Sequence, residues 1–221
     1  MTGATRAEHG ALRAGGYEIV LALLVASLVI GAVVPTRAAA LSAALLAAGL
    51  WFGVAHAASV DPTVRRTGVV VLGAIVVTAG AGLVFDSEVL SSAADLAIAV
   101  AVAAVALVIG RGVARDRVVT LATILGVVCL YLLIGLFFAQ AYLGVRDFDS
   151  GAFSAPIGTL ARFDLIYFSF VTLTTVGFGD IVPAVDLTRA LAATEAVLGQ
   201  LFLVTVLARV VSMLGQERLS R

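Results

Sequence analysis

The stretch Phe163-Asp164-Leu165-Ile166-Tyr167-Phe168-Ser169-Phe170-Val171-Thr172-Leu173-Thr174-Thr175-Val176-Gly177-Phe178-Gly179-Asp180 decides the fold of this 221-residue chain. Its first part, Phe163 to Thr174, is apolar, but 12 residues make only about 18 Å of α-helix. That falls short of the roughly 30 Å hydrocarbon core of a membrane. Its second part places two glycines within three residues and is a poor helix former. A half-length helix running into extended backbone reads as a re-entrant loop. Irregular backbone at membrane depth is tolerated only when buried in protein or lining a watery path.

The surrounding chain supports a membrane setting. It is 62% hydrophobic and only 13% charged, about half the roughly 25% charge of soluble domains, and its mean hydropathy is +1.13. Too little polar surface remains to cover a soluble globule. The expected fold class is an all-α membrane protein with six spans, Tyr17 to Val34, Ala38 to Ser59, Gly68 to Phe85, Leu96 to Gly110, Val118 to Leu143 and Leu187 to Leu214. The half-length helix lies between the fifth and sixth. The corresponding segments are an N-terminal tail at 1–16, a four-helix membrane domain at 17–110, a linker at 111–117, a pore-type domain at 118–214 and a tail at 215–221. A basic N-terminus followed by an apolar stretch and Ala38-Ala39-Ala40 also has the layout of a signal peptide, but the apolar stretch is long for one.

All 14 basic residues are arginine, and their placement orients the spans. With the N-terminus inside, Arg6, Arg13, Arg65, Arg66, Arg111, Arg115, Arg117, Arg218 and Arg221 lie on the cytoplasmic side, and Arg209 reaches it by snorkelling. Arg37, Arg146, Arg162 and Arg189 lie outside. The outer loops carry acids instead: Asp86, Glu88, Asp95, Asp147, Asp149, Asp164, Asp180 and Asp186. Both termini are expected in the cytoplasm. A formal net charge of zero gives no case for nucleic acid as a partner. Cys129 lies in an apolar run and reads as core, and no His/Cys cluster has metal-ligand spacing.

To aim several consecutive carbonyls at one axis, a backbone must alternate between left- and right-handed regions. Glycine enters the left-handed region at little cost, whereas residues with a β-carbon resist it. Gly177 and Gly179 stand at the alternate positions this needs. The carbonyls of Thr175, Val176, Gly177 and Phe178, with the Thr175 hydroxyl, then form stacked rings of oxygens. One chain supplies one such loop, and a closed ring needs about four.

Tyr167 to Asp180 resembles the pore helix and selectivity filter of potassium channels, bacterial members included. The order of outer helix (118–143), pore helix (163–174), filter (175–180) and inner helix (187–214) matches that family too. The resemblance covers Val118 to Leu214. It implies a homotetramer in the cell membrane, in contact with lipid, that conducts K⁺ passively and needs no cofactor. It also implies K⁺ held at Thr175, Val176, Gly177 and Phe178 with Gly179 closing the filter, by carbonyls that replace the ion's hydration shell. Asp180, Tyr167 and Thr174 fall at the pore mouth and pore support, and Phe163, Tyr167, Phe168 and Phe170 form an aromatic cuff. Phe178 stands where tyrosine is usual, which removes a hydroxyl that ties filter to pore helix. Val171 replaces an acid that some bacterial members carry. In this family a glycine near Gly199 acts as a gating hinge; close helix packing is the alternative.

Glu195 is the only acid well inside a span and is a functional candidate by position. It either takes up a proton, or bonds the pore helix at Ser169 or Thr172, or serves gating or ion attraction. Gln200 faces a cavity or bonds a neighbouring helix, and His56 is interfacial. A voltage sensor needs about 3–4 gating charges per subunit. The fourth span has none between Asp95 and Arg111, so no steep voltage dependence is expected. A non-selective cation channel and a non-conducting regulatory subunit are the alternative readings. An enzyme is not expected, because the spans offer no nucleophile with a base and no metal ligands.

Overall fold

The computed structural model describes residues 3–33, 47, 49, 51, 73, 77, 88–115, 120–156, 158 and 160–219. The spans expected at 38–59 and 68–85, and His56 with them, lie outside the described residues apart from those isolated positions. The described chain forms five helices: α1 (Gly3–Val33), α2 (Glu88–Arg115), α3 (Leu121–Phe148), α4 (Arg162–Leu173) and α5 (Asp186–Leu219). Four of them, α1, α2, α3 and α5, contain stretches long and apolar enough to cross a membrane. The 12 residues of α4 are too few.

Helix ends and the span limits expected from the sequence do not coincide. Helix α1 begins at Gly3, so most of the stretch read as a tail is helical. Its Ala, Arg, Glu and Leu are good helix formers. Helix α2 continues through Arg115 and includes most of the expected linker. The arginines at 111 and 115 do not interrupt helical hydrogen bonding. The turn into α3 is set by Thr120, whose hydroxyl accepts from Thr123 N at 3.3 Å while Thr123 Oγ1 accepts from Thr120 N at 3.3 Å. This is a reciprocal cap with threonine in place of the usual glutamate.

Lipid tails are as apolar as leucine, so helices in a membrane associate through close packing rather than the hydrophobic effect. Helices α2 and α3 do so as an antiparallel pair. A β-carbon at Gly126 would lie 2.7 Å from Val113, and one at Gly144 would lie 2.7 Å from Leu96. Both ends of the pair therefore depend on a missing side chain. Val20 and Leu24 of α1 complete this core with Ile98, Val105, Ile109 and Leu133, all essentially buried. Cys129 is buried there, its thiol 3.6 Å from the Tyr17 carbonyl.

A second core forms at the other end of α3 around Phe138, Tyr142, Phe153, Leu165 and Phe168. Its rings meet edge-on, with Tyr142–Phe168 centroids 5.1 Å apart and Phe153–Phe168 5.4 Å, a favoured arrangement for aromatic quadrupoles. Strands β1 (Phe153–Ser154) and β2 (Val182–Pro183) pair antiparallel beside it. Ala184 N and Thr188 Oγ1 both donate to the Ala152 carbonyl at 2.9 Å. The loop after α3 is thereby fastened to the chain that leaves residue 180.

Candidate functional site

Helix α4 is anchored at its start by charge. The Arg162 guanidinium donates to both Asp95 oxygens, at 2.6 and 2.5 Å, and to Gln140 Oε1 at 3.3 Å. Asp95 is fully buried and Arg162 nearly so. The sequence pattern places Asp95 in an outer loop; it lies instead within α2, facing α4. An acid at the edge of an apolar run looks like a loop residue until a partner 67 positions away appears. A cation in the first turn opposes the helix dipole, and Asp95 offsets that. Asp164, also in the first turn, accepts from Ala161 N at 2.7 Å.

At the other end, the chain turns sharply. Thr174 caps the helix, its hydroxyl donating to the Phe170 carbonyl at 2.7 Å. Thr175 N donates to Thr172 O at 2.9 Å, and the amides of Val176 and Gly177 both donate to Val171 O, at 3.0 and 3.4 Å. Positive φ occurs at Thr175 (58°), Gly177 (58°) and Gly179 (77°), and not at Val176 or Phe178. The backbone thus alternates handedness residue by residue from 175 to 179. At Thr175 this places a β-branched residue in the left-handed region, strain of about 1–3 kcal/mol. Residues 174–180 are all exposed in the single chain.

Two side chains brace this segment. The Tyr167 ring stacks on Phe178, centroids 6.4 Å apart and planes 3° from parallel. Partial desolvation, then a hydrogen bond to Asp180 and that residue's charge, raise the Tyr167 phenol above its ordinary pKa. Gln200 Nε2 donates to Thr175 Oγ1 at 3.0 Å. Of the expected aromatic cuff, only Tyr167 stacks on the segment. Phe168 is in the second core, and Phe170 packs on Gly135, where a β-carbon would lie 2.8 Å from its ring.

Behind α4, Glu195 of α5 is fully buried and lies within hydrogen-bond distance of two hydroxyls, Ser169 Oγ at 2.5 Å and Tyr142 Oη at 2.7 Å. Ser169 is one of the two partners expected from sequence; Tyr142 is an addition. One turn along α5, Gly199 is buried against the carbonyl end of α4. Tyr131 of α3 donates to that same Leu173 carbonyl at 3.3 Å. Farther down, Arg209 Nη2 donates to the carbonyls of Val113 and Ala114 at the end of α2, both at 3.2 Å. Among the described residues, no group of three His, Cys, Asp or Glu side chains could hold a metal ion.

The family model described as "Ion channel" matches residues 126–216, from the second turn of α3 to near the end of α5. Comparison with curated proteins gave no match, and comparison with solved structures gave none. The family match and the four long apolar helices support an ion-channel subunit housed in a membrane. Ion channels are not an enzyme family.

Proposed function

We propose that this chain is one subunit of a potassium-selective channel of the cell membrane, in which four copies surround a common axis. In this reading α4 is a re-entrant pore helix and residues 175–180 are the selectivity filter. Helices α3 and α5 are the outer and inner pore helices. The carbonyls of Thr175, Val176, Gly177 and Phe178 replace the hydration shell of K⁺ as it passes, Gly179 closes the filter, and Asp180 stands at the outer mouth.

The single observation that carries the reading is the alternation of φ at 175, 177 and 179. A strand with uniform φ sends successive carbonyls to opposite sides, and this one need not. Glycine at two of the three positions makes the alternation cheap. One chain offers only one column of oxygens, so a closed ring requires symmetry-related copies. Exposure of 174–180 in the single chain is what a segment facing an axis and its neighbours requires. No charged residue lies in α2 between Asp95 and Arg111, so the open probability does not depend steeply on voltage.

The test is ion flux from liposomes containing the purified chain, with K⁺ and Na⁺ compared and barium tried as a blocker. Potassium flux without sodium flux is the expected result. Equal flux would make the protein a non-selective cation channel, and no flux under any stimulus would make it a non-conducting subunit.

A further inference from the structure

Glu195 takes part in a chain of three contacts whose protons can be counted. Tyr142 Oη lies 2.7 Å from Oε2, and Ser169 Oγ lies 2.5 Å from Oε1. The same Ser169 Oγ lies 2.7 Å from the Gly135 carbonyl oxygen. Three oxygen–oxygen contacts of this length need three protons between them. Tyrosine and serine hydroxyls bring one each, a carbonyl brings none, and an ionised carboxylate brings none. With Glu195 ionised, one contact is left with two lone-pair-bearing oxygens face to face. With a proton on Oε1 every contact is filled: Tyr142 donates to Oε2, Oε1 donates to Ser169, and Ser169 donates to Gly135.

The surroundings agree with a neutral acid. Glu195 is fully buried. The titratable group facing it from α3 is Tyr142, with Tyr131 farther off and bonded to the Leu173 carbonyl. From α4 it meets the Ser169 hydroxyl. Among the described residues, no arginine or histidine forms an ion pair with it. A carboxylate held there ionised would lack a counter-charge.

We propose that Glu195 is a proton-held latch: its proton ties α5 to α4 and, through Ser169, to α3, and loss of that proton at alkaline pH slackens α4 and stops conduction. The proposal rests on the channel reading and names a regulation of the same pore. Ser169 lies two residues before Val171, whose carbonyl receives the amides of Val176 and Gly177. Glu195 and Gly199 are four residues apart and share the face of α5 that meets α4. An ionised Glu195 claims the serine proton for itself, so the Gly135 link is lost while a bare charge appears between packed helices. Any shift of α4 is passed directly to the backbone hung from its last turn.

The test measures potassium flux from liposomes across a pH series kept below the tyrosine range, about pH 10, for the native chain and for E195Q. A glutamine donates to Ser169 and accepts from Tyr142 at every pH. The native chain is expected to lose flux as pH rises, and E195Q is expected to keep it. Flat native flux across the series, or an alkaline loss that E195Q shares, would overturn the latch. An infrared spectrum at neutral pH reads the proton without conduction: a protonated-carboxyl stretch, missing in E195Q, is expected, and its absence from the native chain overturns the assignment. If neither protein conducts at any pH the channel reading itself fails, and the infrared band alone then decides the proton.

Discussion

A β-carbon placed on Gly199 would stand 2.3 Å from the carbonyl oxygen of Leu173 and 3.0 Å from its Cδ1. The nearer atom belongs to backbone, so it cannot swing aside as a side chain would. Helix α5 and the carbonyl end of α4 touch there because residue 199 has no side chain. Close packing is therefore sufficient reason for this glycine. We expect G199A to cost about 1–3 kcal/mol per chain through overpacking. The checks are thermal unfolding of the purified assembly and recordings of its conductance. Normal stability with only an altered open probability would argue for a hinge instead.

The Asp95–Arg162 pair joins α2 to the start of α4 out of contact with solvent. Breaking a buried pair by removing one partner strands the other charge, at a cost of about 3–5 kcal/mol. D95A is expected to lower the unfolding temperature more than the double variant D95L/R162M, which removes both charges. The reverse order would show that the pair contributes nothing beyond packing.

At Gly177 the backbone sits at φ 58°, and a β-carbon there costs roughly 1–2 kcal/mol per chain. The space around it is open, so the penalty is conformational and not steric. G177A is expected to lose potassium preference over sodium in liposome flux while the chain still folds and assembles. F178Y adds a hydroxyl to an exposed ring and is expected to keep that preference.

The interaction of the Tyr167 phenol with Asp180 has a pH range set by the phenol. Because the folded protein holds the Tyr167 pKa above its ordinary value, the neutral, donating form survives to pH above about 10. The stabilisation from this group is present below the unfolded pKa and is lost as pH rises through the folded one. Y167F is expected to lower thermal stability at neutral pH and to abolish the part of its alkaline loss due to this interaction. An unchanged melting profile from pH about 7 to beyond the tyrosine range would contradict that role.

Local signals make the half-length helix and the glycine-spaced segment legible in the sequence. Periodicity, length and the φ demands of glycine are all properties of neighbouring residues. The bond from Ser169 to Glu195 is within reach of the same reasoning, because a lone acid in an apolar span must find a donor. Asp95 is not legible in that way, since its apolar run ends close by and Arg162 gives no local sign of pairing with it. The β1–β2 pairing is equally hidden, two residues a strand being below any alternation signal. Gln200 stands out in its span, but only the fold shows that it reaches Thr175, 25 positions back. Tyr142 gives no sign either, because a tyrosine in an apolar helix reads as core until its hydroxyl finds a partner.

The proposed potassium selectivity depends on main-chain oxygens of residues 175–179 facing a shared axis and holding dehydrated K⁺. Its most direct test is a structure of the lipid-embedded assembly with thallium or rubidium in place of potassium, read for heavy-ion density. We expect a row of ion peaks on a four-fold axis, each ringed by oxygens from Thr175, Val176, Gly177 and Phe178. Ion density elsewhere, or residues 175–179 lying away from any symmetry axis, would contradict it.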